Sequence, residues 1–226
     1  MTPTSSAPAA WSSSGGKDSM LALLRAHKRG IDVRTMVTVF DETAARNRSH
    51  GVPRHLLQSQ ADALGVRLVA PSATWAEYEA VFIATLRSLR DEGHDLMVFG
   101  DIDLVPHREW EEKVCASAGL AAELPLWGEA REAVARDILA HDIRAIVVCT
   151  DSRYLDDSFC GRLYDEQFIA DLPPGVCPCG ENGEFHTFVC ASPLMDQTLG
   201  VTVTGLREYV SPPEFGSQRY CFAELE

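Results

Sequence analysis

Residues 12–19 read S-S-S-G-G-K-D-S and lie between Trp11 and the apolar run M-L-A-L-L. This stretch allows two interpretations. A single Ser or Asp side chain could cap the following helix, with the two glycines turning the chain. Alternatively, the stretch is a phosphate cradle, because the N–H groups and the dipole at a helix N-terminus attract anions. Lys17 favours the cradle, since a lysine at the positive end of the helix dipole is unfavourable unless an anion joins it.

Helix-like and strand-like segments alternate after this stretch. The spacing of apolar residues predicts helices at 19–29, 53–64, 75–92, 107–119 and 129–142. Runs of β-branched and apolar residues predict strands at 33–40, 67–70, 95–102 and 144–150, with an extended segment at 121–127. Strands separated by helices of this length predict an α/β fold, a Rossmann-like (HUP-type) doubly wound sheet of mostly parallel strands.

The pattern changes beyond residue 151 into short segments rich in Gly, Pro and Asp, and residues 198–210 alternate like an antiparallel strand. We therefore predict three parts of the chain. Residues 1–10 form a disordered leader, residues 11–128 form the phosphate-binding sheet domain, and residues 129–226 form a smaller C-terminal α+β part.

Composition limits the classes of function. The chain has 226 residues and a formal net charge of −13, which argues against a general nucleic-acid or anionic-membrane surface. No stretch approaches the roughly 20 apolar residues that span a bilayer, and the N-terminus lacks the pattern of a signal peptide. Seven scattered cysteines do not suggest a disulfide framework. We expect a reducing, cytoplasmic setting.

The first strand–loop–helix turn of an open parallel sheet is its usual anion site. Neither the Walker pattern nor the G-x-G-x-x-G fingerprint occurs in the chain. Residues 14–19, S-G-G-K-D-S, instead resemble the PP-loop of the ATP pyrophosphatase (adenine nucleotide alpha-hydrolase) superfamily, whose members cleave ATP between its α- and β-phosphates. One departure is that A-P-A-A-W replaces the usual Val, Ile and Leu run before the loop. The first strand must therefore be short.

A second motif, C-P-C-G-E-N-G-E-F-H-T-F-V at 177–189, resembles the signature G-E-x-G-E-[FY]-x-T of the diphthine–ammonia ligase family. Further segments similar to this family are His50-Gly51, Gln60-Ala61, Leu64-Gly65, F-G-D-I at 99–102, P-L-W at 125–127 and F-C-G-R-L-Y-D at 159–165. One departure is Cys177, which stands where bacterial-type relatives tend to carry an aspartate.

The resemblance implies an ATP-dependent amide ligase, with ATP and Mg²⁺ as cofactors. A carboxylate attacks the α-phosphate and releases pyrophosphate, and ammonia then displaces AMP. The implied nucleotide-binding residues are Ser14, Gly15, Gly16, Lys17, Asp18, Ser19, His50, Gly51 and Gly100, with Asp18 holding Mg²⁺. The implied substrate-binding residues are Gly180, Glu181, Asn182, Gly183, Glu184 and Thr187.

Four residues are assigned to catalysis by the same resemblance: Lys17, Asp101, Glu184 and His186. Lys17 stabilises charge that develops on the phosphates. Asp101, at the carboxyl end of a strand, assists Mg²⁺ or orients the substrate. His186 has an ordinary pKa near neutrality and could accept a proton from ammonium, although a structural role fits it equally well.

Two other functions stay open at this point. A PP-loop enzyme of tRNA sulfur transfer would use a reactive pair such as Cys177 and Cys179, but it would need a basic surface for RNA. A non-catalytic ATP-binding sensor would not need the polar cluster at 177–189. The expected partners are therefore ATP, an unidentified carboxylate acceptor and ammonia, with no membrane and no nucleic acid. The oligomeric state is open, a homodimer being one option.

Overall fold

The computed structural model describes residues 7–213 and 216–226. Within these ranges the elements follow one another in the order β1 (Ala9–Ser12), α1 (Lys17–Lys28), β2 (Val33–Val37), α2 (Arg54–Ala63), β3 (Arg67–Val69), α3 (Tyr78–Asp91), β4 (Leu96–Val98), α4 (Val105–Ala118), β5 (Ala121–Glu123), α5 (Arg131–Ala140), β6 (Arg144–Asp151), α6 (Glu166–Asp171), β7 (Phe185–Ala191), β8 (Val203–Val210) and β9 (Arg219–Leu225). A single 3₁₀ turn at Asp157–Phe159 lies between β6 and α6.

The first five strands form one sheet in the order β3-β2-β1-β4-β5, and every neighbouring pair is parallel. Helices α3 and α4 pack on one face through a cluster that contains Phe82 and Val114. Helices α1 and α2 belong to a second cluster, which contains Trp11 and Leu57. The predicted doubly wound α/β fold is confirmed. The order of the strands reverses between β1 and β4, so a crevice opens at their carboxyl ends.

The central strand β1 corrects part of the predicted leader. Ala9 and Ala10 belong to β1 and are buried, with β2 on one side and β4 on the other. Alanine gives only a weak strand signal, and two flanking strands supply the hydrogen bonds that hold so short a segment. The prediction of disorder is wrong for these two residues, while residues 1–6 lie outside the described part of the chain.

The last four strands form a separate antiparallel sheet in the order β7-β6-β9-β8. Its buried residues, including Val147 and Phe188, belong to the same apolar cluster as α1 and α2. Strand β7 contacts α1 directly. The C-terminal sheet therefore packs beside the first helix of the parallel sheet, close to the loop at residues 13–19. The proposed boundary between residues 128 and 129 stays a prediction.

Three element ends differ from the sequence prediction in ways that affect the crevice. Helix α3 begins at Tyr78 instead of residue 75, and β4 ends at Val98 instead of residue 102. The chain at 99–104 is therefore irregular and free to line the crevice. Helix α4 starts at Val105 with a proline in its first turn, a position where the missing N–H costs nothing. The described chain contains no helix that is long and apolar enough to cross a membrane.

Candidate functional site

A cavity of about 880 Å³ opens at the carboxyl ends of β1, β2 and β4. Five parts of the chain line it: the loop after β1, the end of β2 with the connection to α2, the residues after β4, the 177–189 motif before and within β7, and residues at and next to α3 and α4. Its size is within the range of small-molecule sites. The two sequence motifs, more than 150 residues apart in the chain, thus face one cavity.

The loop after β1 does not behave as a capped helix start. Gly16 occupies the N-cap position of α1, and no side chain makes a capping hydrogen bond there. The Ser13 hydroxyl accepts from the Gly15 N–H at 3.0 Å, which tightens the loop before the helix begins. Gly15 has a φ of +86°, a conformation that side chains with a Cβ avoid. This geometry favours the cradle over the cap.

The C-terminal motif holds the loop in place. The Lys17 N–H donates to Thr187 Oγ1 at 3.1 Å, and the Val189 N–H donates to the Gly15 carbonyl at 2.9 Å. The Gln60 amide, on α2, donates to the carbonyls of Gly15 and Val189. Strand β7 and α2 therefore fix the conformation of the loop.

Lys17 carries the buried positive charge of the site. Its side chain is 2% exposed, and its Nζ donates to Asp18 Oδ2 at 2.8 Å and to the Cys179 carbonyl. Its Nζ also lies 5.1 Å from the ring centres of Tyr164 and Phe185. Burial acts to lower the pKa of Lys17, but the charge and hydrogen bond of Asp18, together with the charges of neighbouring groups such as Glu181, outweigh it, so the pKa is raised. Lys17 is a fixed cation at neutral pH.

Asp18 has one oxygen without a partner. Oδ2 accepts from Lys17, whereas Oδ1 is buried and meets no donor within the described chain. A cation next to Oδ1 would satisfy it, and carboxylate oxygens suit Mg²⁺. No group of three or more His, Cys, Asp or Glu side chains within the described ranges is arranged to hold a metal. This arrangement fits an ion that one carboxylate and substrate phosphates hold together.

Two histidines stand beside the loop. His50 and His186 stack with their ring centres 4.5 Å apart, and His50 Nδ1 lies 2.8 Å from the Thr187 carbonyl oxygen. Burial and the Lys17 charge lower the pKa of His186 to about 4. Burial and the neighbouring His186 lower the pKa of His50 well below its ordinary value. Both rings are neutral at pH 7, so His186 is too weak a base to accept a proton from ammonium efficiently.

Acidic side chains line the cavity beyond the loop. Glu181 Oε1 accepts from the Ile102 N–H at 3.3 Å. Burial and the Asp18 charge raise the pKa of Glu181 to about 7. Asp101 Oδ1 accepts from His107 at 2.7 Å. Burial acts to raise the pKa of Asp101, but the hydrogen bond and charge of His107, with a contribution from Glu111, together keep it below its ordinary value. His107 thus already engages one oxygen of Asp101.

Glu184 has a different position from the one expected of a catalytic residue. Its side chain is 1% exposed and lies outside the cavity lining. Its oxygens accept from the Cys177 N–H and the Asn182 N–H, both at 3.0 Å, and from the Asn182 side-chain amide at 2.8 Å. These bonds fold the turn that presents Glu181 to the cavity. The geometry therefore makes Glu184 a positioning residue, not a group that reaches a substrate.

Most of the other site residues expected from the sequence line the cavity: Ser14, Gly16, Lys17, Asp18, Ser19, His50, Gly100, Asp101, Gly180, Glu181, Asn182, Gly183, His186 and Thr187. Gly15 and Gly51 are not among the lining residues. Gly15 faces Leu57 and Phe188, and Gly51 faces Phe222, so both shape the surroundings of the site.

The sequence interpretation missed an aromatic part of the lining. The cavity is also lined by Trp75, Tyr78, Trp110, Glu111 and Asn47. The side-chain amide of Asn47 donates to the Ser14 carbonyl at 2.9 Å. The helical spacing of 75–92 predicts that its Trp and Phe rings belong to the core, and Phe82 does, being 1% exposed. Trp75 is 59% exposed and precedes α3, so it is not a core residue. Helical periodicity gives no signal for rings at the end of a helix that faces a crevice.

Comparison with known proteins shows which family the sequence resembles. A model of the diphthamide synthase N-terminal domain matches residues 8–122, and a model of the diphthamide synthase C-terminal domain matches residues 130–211. A diphthine–ammonia ligase of Rattus norvegicus is 32% identical over 95 residues, which cover 40% of this chain and 36% of the relative. The Homo sapiens protein of the same name is 30% identical over 93 residues, 39% of this chain and 35% of the relative.

These matches span only about a third of the length of the curated relatives. Among solved structures, a chain described as a predicted subunit of tRNA methyltransferase from Methanocaldococcus jannaschii is similar, with a TM-score of 0.43 and 18% identity. That likeness covers 62% of this chain and 80% of the other, and supports no conclusion about function. The first family model alone covers half of the chain, from β1 and the loop at 13–19 to β5. The chain belongs to the diphthamide synthase family.

Proposed function

We propose that the chain is an ATP-dependent amide ligase that releases AMP and pyrophosphate. The observation that carries the proposal is the loop after β1: an α1 N-terminus without a side-chain cap, a buried Lys17 beside it, and a cavity in front. Such a cradle suits a polyphosphate. The curated relatives are named for diphthine and ammonia, and we extend to this chain the coarser chemistry, a carboxylate acceptor and ammonia.

The reaction divides into two displacements. A carboxylate oxygen of the acceptor attacks the α-phosphorus of ATP, the bond to the bridging oxygen breaks, and pyrophosphate leaves. Ammonia then attacks the carbonyl carbon of the acyl-adenylate, loses a proton, and AMP leaves with the bonding electron pair. Positioned donors and charges suffice for both steps, since the leaving groups are good ones.

The position of each residue in the cavity suggests its role in the reaction. The loop amides and Lys17 would bind the phosphates and stabilise charge that develops on them. Asp18, through its unpartnered Oδ1, would hold Mg²⁺. That ion, when bound, would neutralise part of the phosphate charge. Glu181 is the better candidate to accept the proton of ammonium, because it lines the cavity and has a pKa of about 7, whereas that of His186 is about 4.

The direct test incubates the full chain with ATP, Mg²⁺, ammonium and a series of carboxylates, including a diphthine-containing protein, and measures AMP and pyrophosphate. We expect both products to form in equal amounts and only with a suitable acceptor. Formation of ADP and phosphate would contradict the proposal. Binding of ATP without AMP under any acceptor would instead favour the ATP-binding sensor.

Removal of Mg²⁺ by a chelator, with restoration by added Mg²⁺, tests the metal. Asp18→Asn should raise the Mg²⁺ concentration needed for half-maximal AMP formation, since an amide is a weaker ligand than a carboxylate. An unchanged Mg²⁺ requirement would remove Asp18 from the metal site. The matched control is Asp32→Asn, a change at an exposed aspartate paired with Arg34 outside the cavity lining.

A further inference from the structure

A tight turn carries two cysteines beside the loop after β1. Cys177, Pro178 and Cys179 precede Gly180, and the Gly180 N–H donates to the Cys177 carbonyl at 3.0 Å, which closes the turn. The outer Cα atoms of such a turn lie within about 7 Å of each other. A disulfide bridges Cα atoms that are about 4.4–6.8 Å apart, so the compact backbone of the turn suits one. Both cysteines are free thiols in the structure.

The turn is part of the surroundings of Lys17. The Cys179 carbonyl accepts from Lys17 Nζ, and the preceding Pro178 carbonyl accepts from the Tyr164 hydroxyl at 2.8 Å. The Cys179 thiol donates to the carbonyl of Arg131, the first residue of α5, at 3.1 Å. These contacts depend on the directions in which the turn presents its two carbonyls and its thiol. A change in the turn therefore reaches the buried charge of the site.

The two thiols differ in reactivity and in access. The neighbouring Cys179 thiol lowers the pKa of Cys177 to about 6, whereas Cys177 and burial raise the pKa of Cys179. A thiolate is the form that attacks an oxidant, which makes Cys177 the attacking sulfur and Cys179 the resolving thiol. Cys177 is 6% exposed, and Cys179 lines the cavity. Both positions suit an oxidant as small as hydrogen peroxide.

We propose that a hydroperoxide converts Cys177 and Cys179 into a reversible disulfide, which releases Lys17 from the turn and weakens the binding of the nucleotide. The Cys177 sulfur attacks the O–O bond and keeps one oxygen as a sulfenic acid, while the departing hydroxide takes a proton to become water. The Cys179 sulfur then attacks the Cys177 sulfur, and the hydroxyl leaves as water with the proton of Cys179. Together the two thiols lose two electrons and two protons, and hydrogen peroxide is reduced to two waters.

The small size of the ring accounts for the effect on Lys17. Only Pro178 separates the two cysteines, so the S–S bond closes a ring over a single intervening residue and restricts the backbone of the turn. The Cys179 sulfur also loses the hydrogen that it donates to the Arg131 carbonyl. The Cys179 carbonyl then turns away from Lys17, and the ammonium that would bind phosphate is no longer held in place. This part rests on the proposed function, because it takes ATP as the ligand.

The test oxidises the full chain with hydrogen peroxide and maps the product. Proteolysis at Glu166 and Glu181 releases residues 167–181, which contain Cys177 and Cys179 and no other cysteine. We expect this peptide to lose two hydrogens in mass spectrometry, and a dithiol to restore them. Amide hydrogen exchange in residues 13–19 should rise on oxidation. Calorimetric titration with ATP and Mg²⁺ should show an affinity at least about tenfold lower, a clear difference in binding free energy.

The coupling between the disulfide and ATP can be measured from the opposite direction. If the disulfide lowers the affinity for ATP tenfold, saturating ATP must oppose the disulfide by the same factor. Equilibration in a buffer of reduced and oxidised dithiothreitol should therefore give a reduction potential that is about 30 mV higher with ATP than without it. An unchanged potential in protein that binds ATP would overturn the proposal.

Two cysteine variants assign the effect to this turn. Cys177→Ser should keep its ATP affinity after peroxide treatment, because serine retains the N–H that donates to Glu184 but cannot form the disulfide. Cys190→Ser is the matched control, at the least buried of the seven cysteines and outside the cavity lining. It should lose ATP affinity on oxidation as wild type does. Thermal unfolding of each reduced variant verifies its fold.

The outcomes separate this proposal from the proposed function. Wild-type protein whose peptide 167–181 keeps both thiols, or gains oxygen instead of losing hydrogens, would overturn the disulfide. A disulfide that leaves hydrogen exchange at 13–19 unchanged, or equal peroxide sensitivity in Cys177→Ser, would overturn its effect on the site. AMP formation is measured in the reduced protein. A reversible disulfide with faster exchange but no AMP with any acceptor would support the cysteine pair and contradict the ligase, and AMP formation without the disulfide would do the reverse.

Discussion

His50, in the connection between β2 and α2, stacks on His186 of β7 with a distance of 4.5 Å between ring centres and an angle of 24° between planes. This contact joins the parallel sheet to the C-terminal sheet beside the loop at 13–19. Both imidazoles are held neutral, His50 by burial and by His186, and His186 by burial and by Lys17. The stack therefore makes the stability of the fold sensitive to pH.

The sign of that dependence follows from the lowered pKa of both rings. The unfolded chain binds protons at these histidines near pH 6.5, while folded His186 binds one only near pH 4. Stability contributed by the neutral ring is complete above pH 6.5 and is lost as the pH falls from 6.5 to about 4. Urea unfolding across this range should show a shallower loss in His186→Phe, which keeps the stack without a proton site. Identical pH slopes would contradict the prediction.

We expect replacement of Glu184 to lower the stability of the fold, with any effect on AMP formation following from that loss. Glu184→Ala removes the acceptor of three hydrogen bonds, one buried and two partly buried, from the turn at 177–184, and we expect the free energy of unfolding to fall by about 2–4 kcal/mol. Denaturant unfolding measures it. The matched control is Glu166→Ala, at an exposed residue in the first turn of α6. If Glu184→Ala unfolds like wild type while AMP formation is lost, Glu184 acts on the substrate after all.

Gly100 should be intolerant of any side chain. A Cβ at this position would lie 2.7 Å from both Cα and N of Ser19, which are backbone atoms and cannot move aside cheaply. Gly100→Ala should therefore push the chain after β4 away from the start of α1, with a loss of about 1–3 kcal/mol in stability and a loss of ATP affinity. Gly200→Ala is the matched control, because a Cβ there meets open space. Equal ATP affinities in the two variants would contradict this prediction.

Lys17→Met tests the buried charge without leaving a large void. Methionine fills much of the apolar space beside Tyr164 and Phe185 but has no charge for the phosphates. We expect kcat/KM for AMP formation to fall by about 10²-fold or more. The matched control is Lys28→Met in the last turn of the same helix, at an exposed lysine. A Lys17→Met enzyme with near wild-type turnover would show that the loop is only structural.

Cys177 separates amide ligation from sulfur transfer. Its pKa is lowered to about 6, chiefly by the neighbouring Cys179 thiol, which favours the thiolate. The thiol is buried, and Cys177 is not among the residues that line the cavity. We therefore expect Cys177→Ser to form AMP at a rate within about twofold of wild type, as for a change outside the reacting groups. Abolished turnover in a folded Cys177→Ser protein would favour the sulfur-transfer alternative.

Much of the architecture was predictable because its signals are local. The helix periods, the strand runs and the glycines that follow them predict four of the five parallel strands and their helices within a few residues. Ala9 and Ala10 were misassigned because alanine has little preference for strands, and their burial comes from β2 and β4 on either side. The loop was recognisable for a similar local reason, since its glycines, lysine and hydroxyls are contiguous.

The division of labour among the site residues was not predictable from the sequence. Glu181 and Glu184 are three positions apart in one motif, yet one lines the cavity and the other is closed inside the turn. Nothing in their order in the chain indicates which carboxylate accepts backbone N–H groups. The aromatic lining of the cavity by Tyr78 and Trp110 was missed for the same reason, because a ring on a helix gives the same periodic signal whether it meets core or cavity.

The sequence by itself determined the family, the alternation of strand and helix, and the composition of the loop at 13–19, because each depends on contiguous residues. Only the tertiary structure decided that Thr187 and Val189 hold the loop and that Lys17 reaches the Cys179 carbonyl. These contacts join residues that are distant in the chain. Their energies depend on burial and on distances between groups, which the folded structure creates.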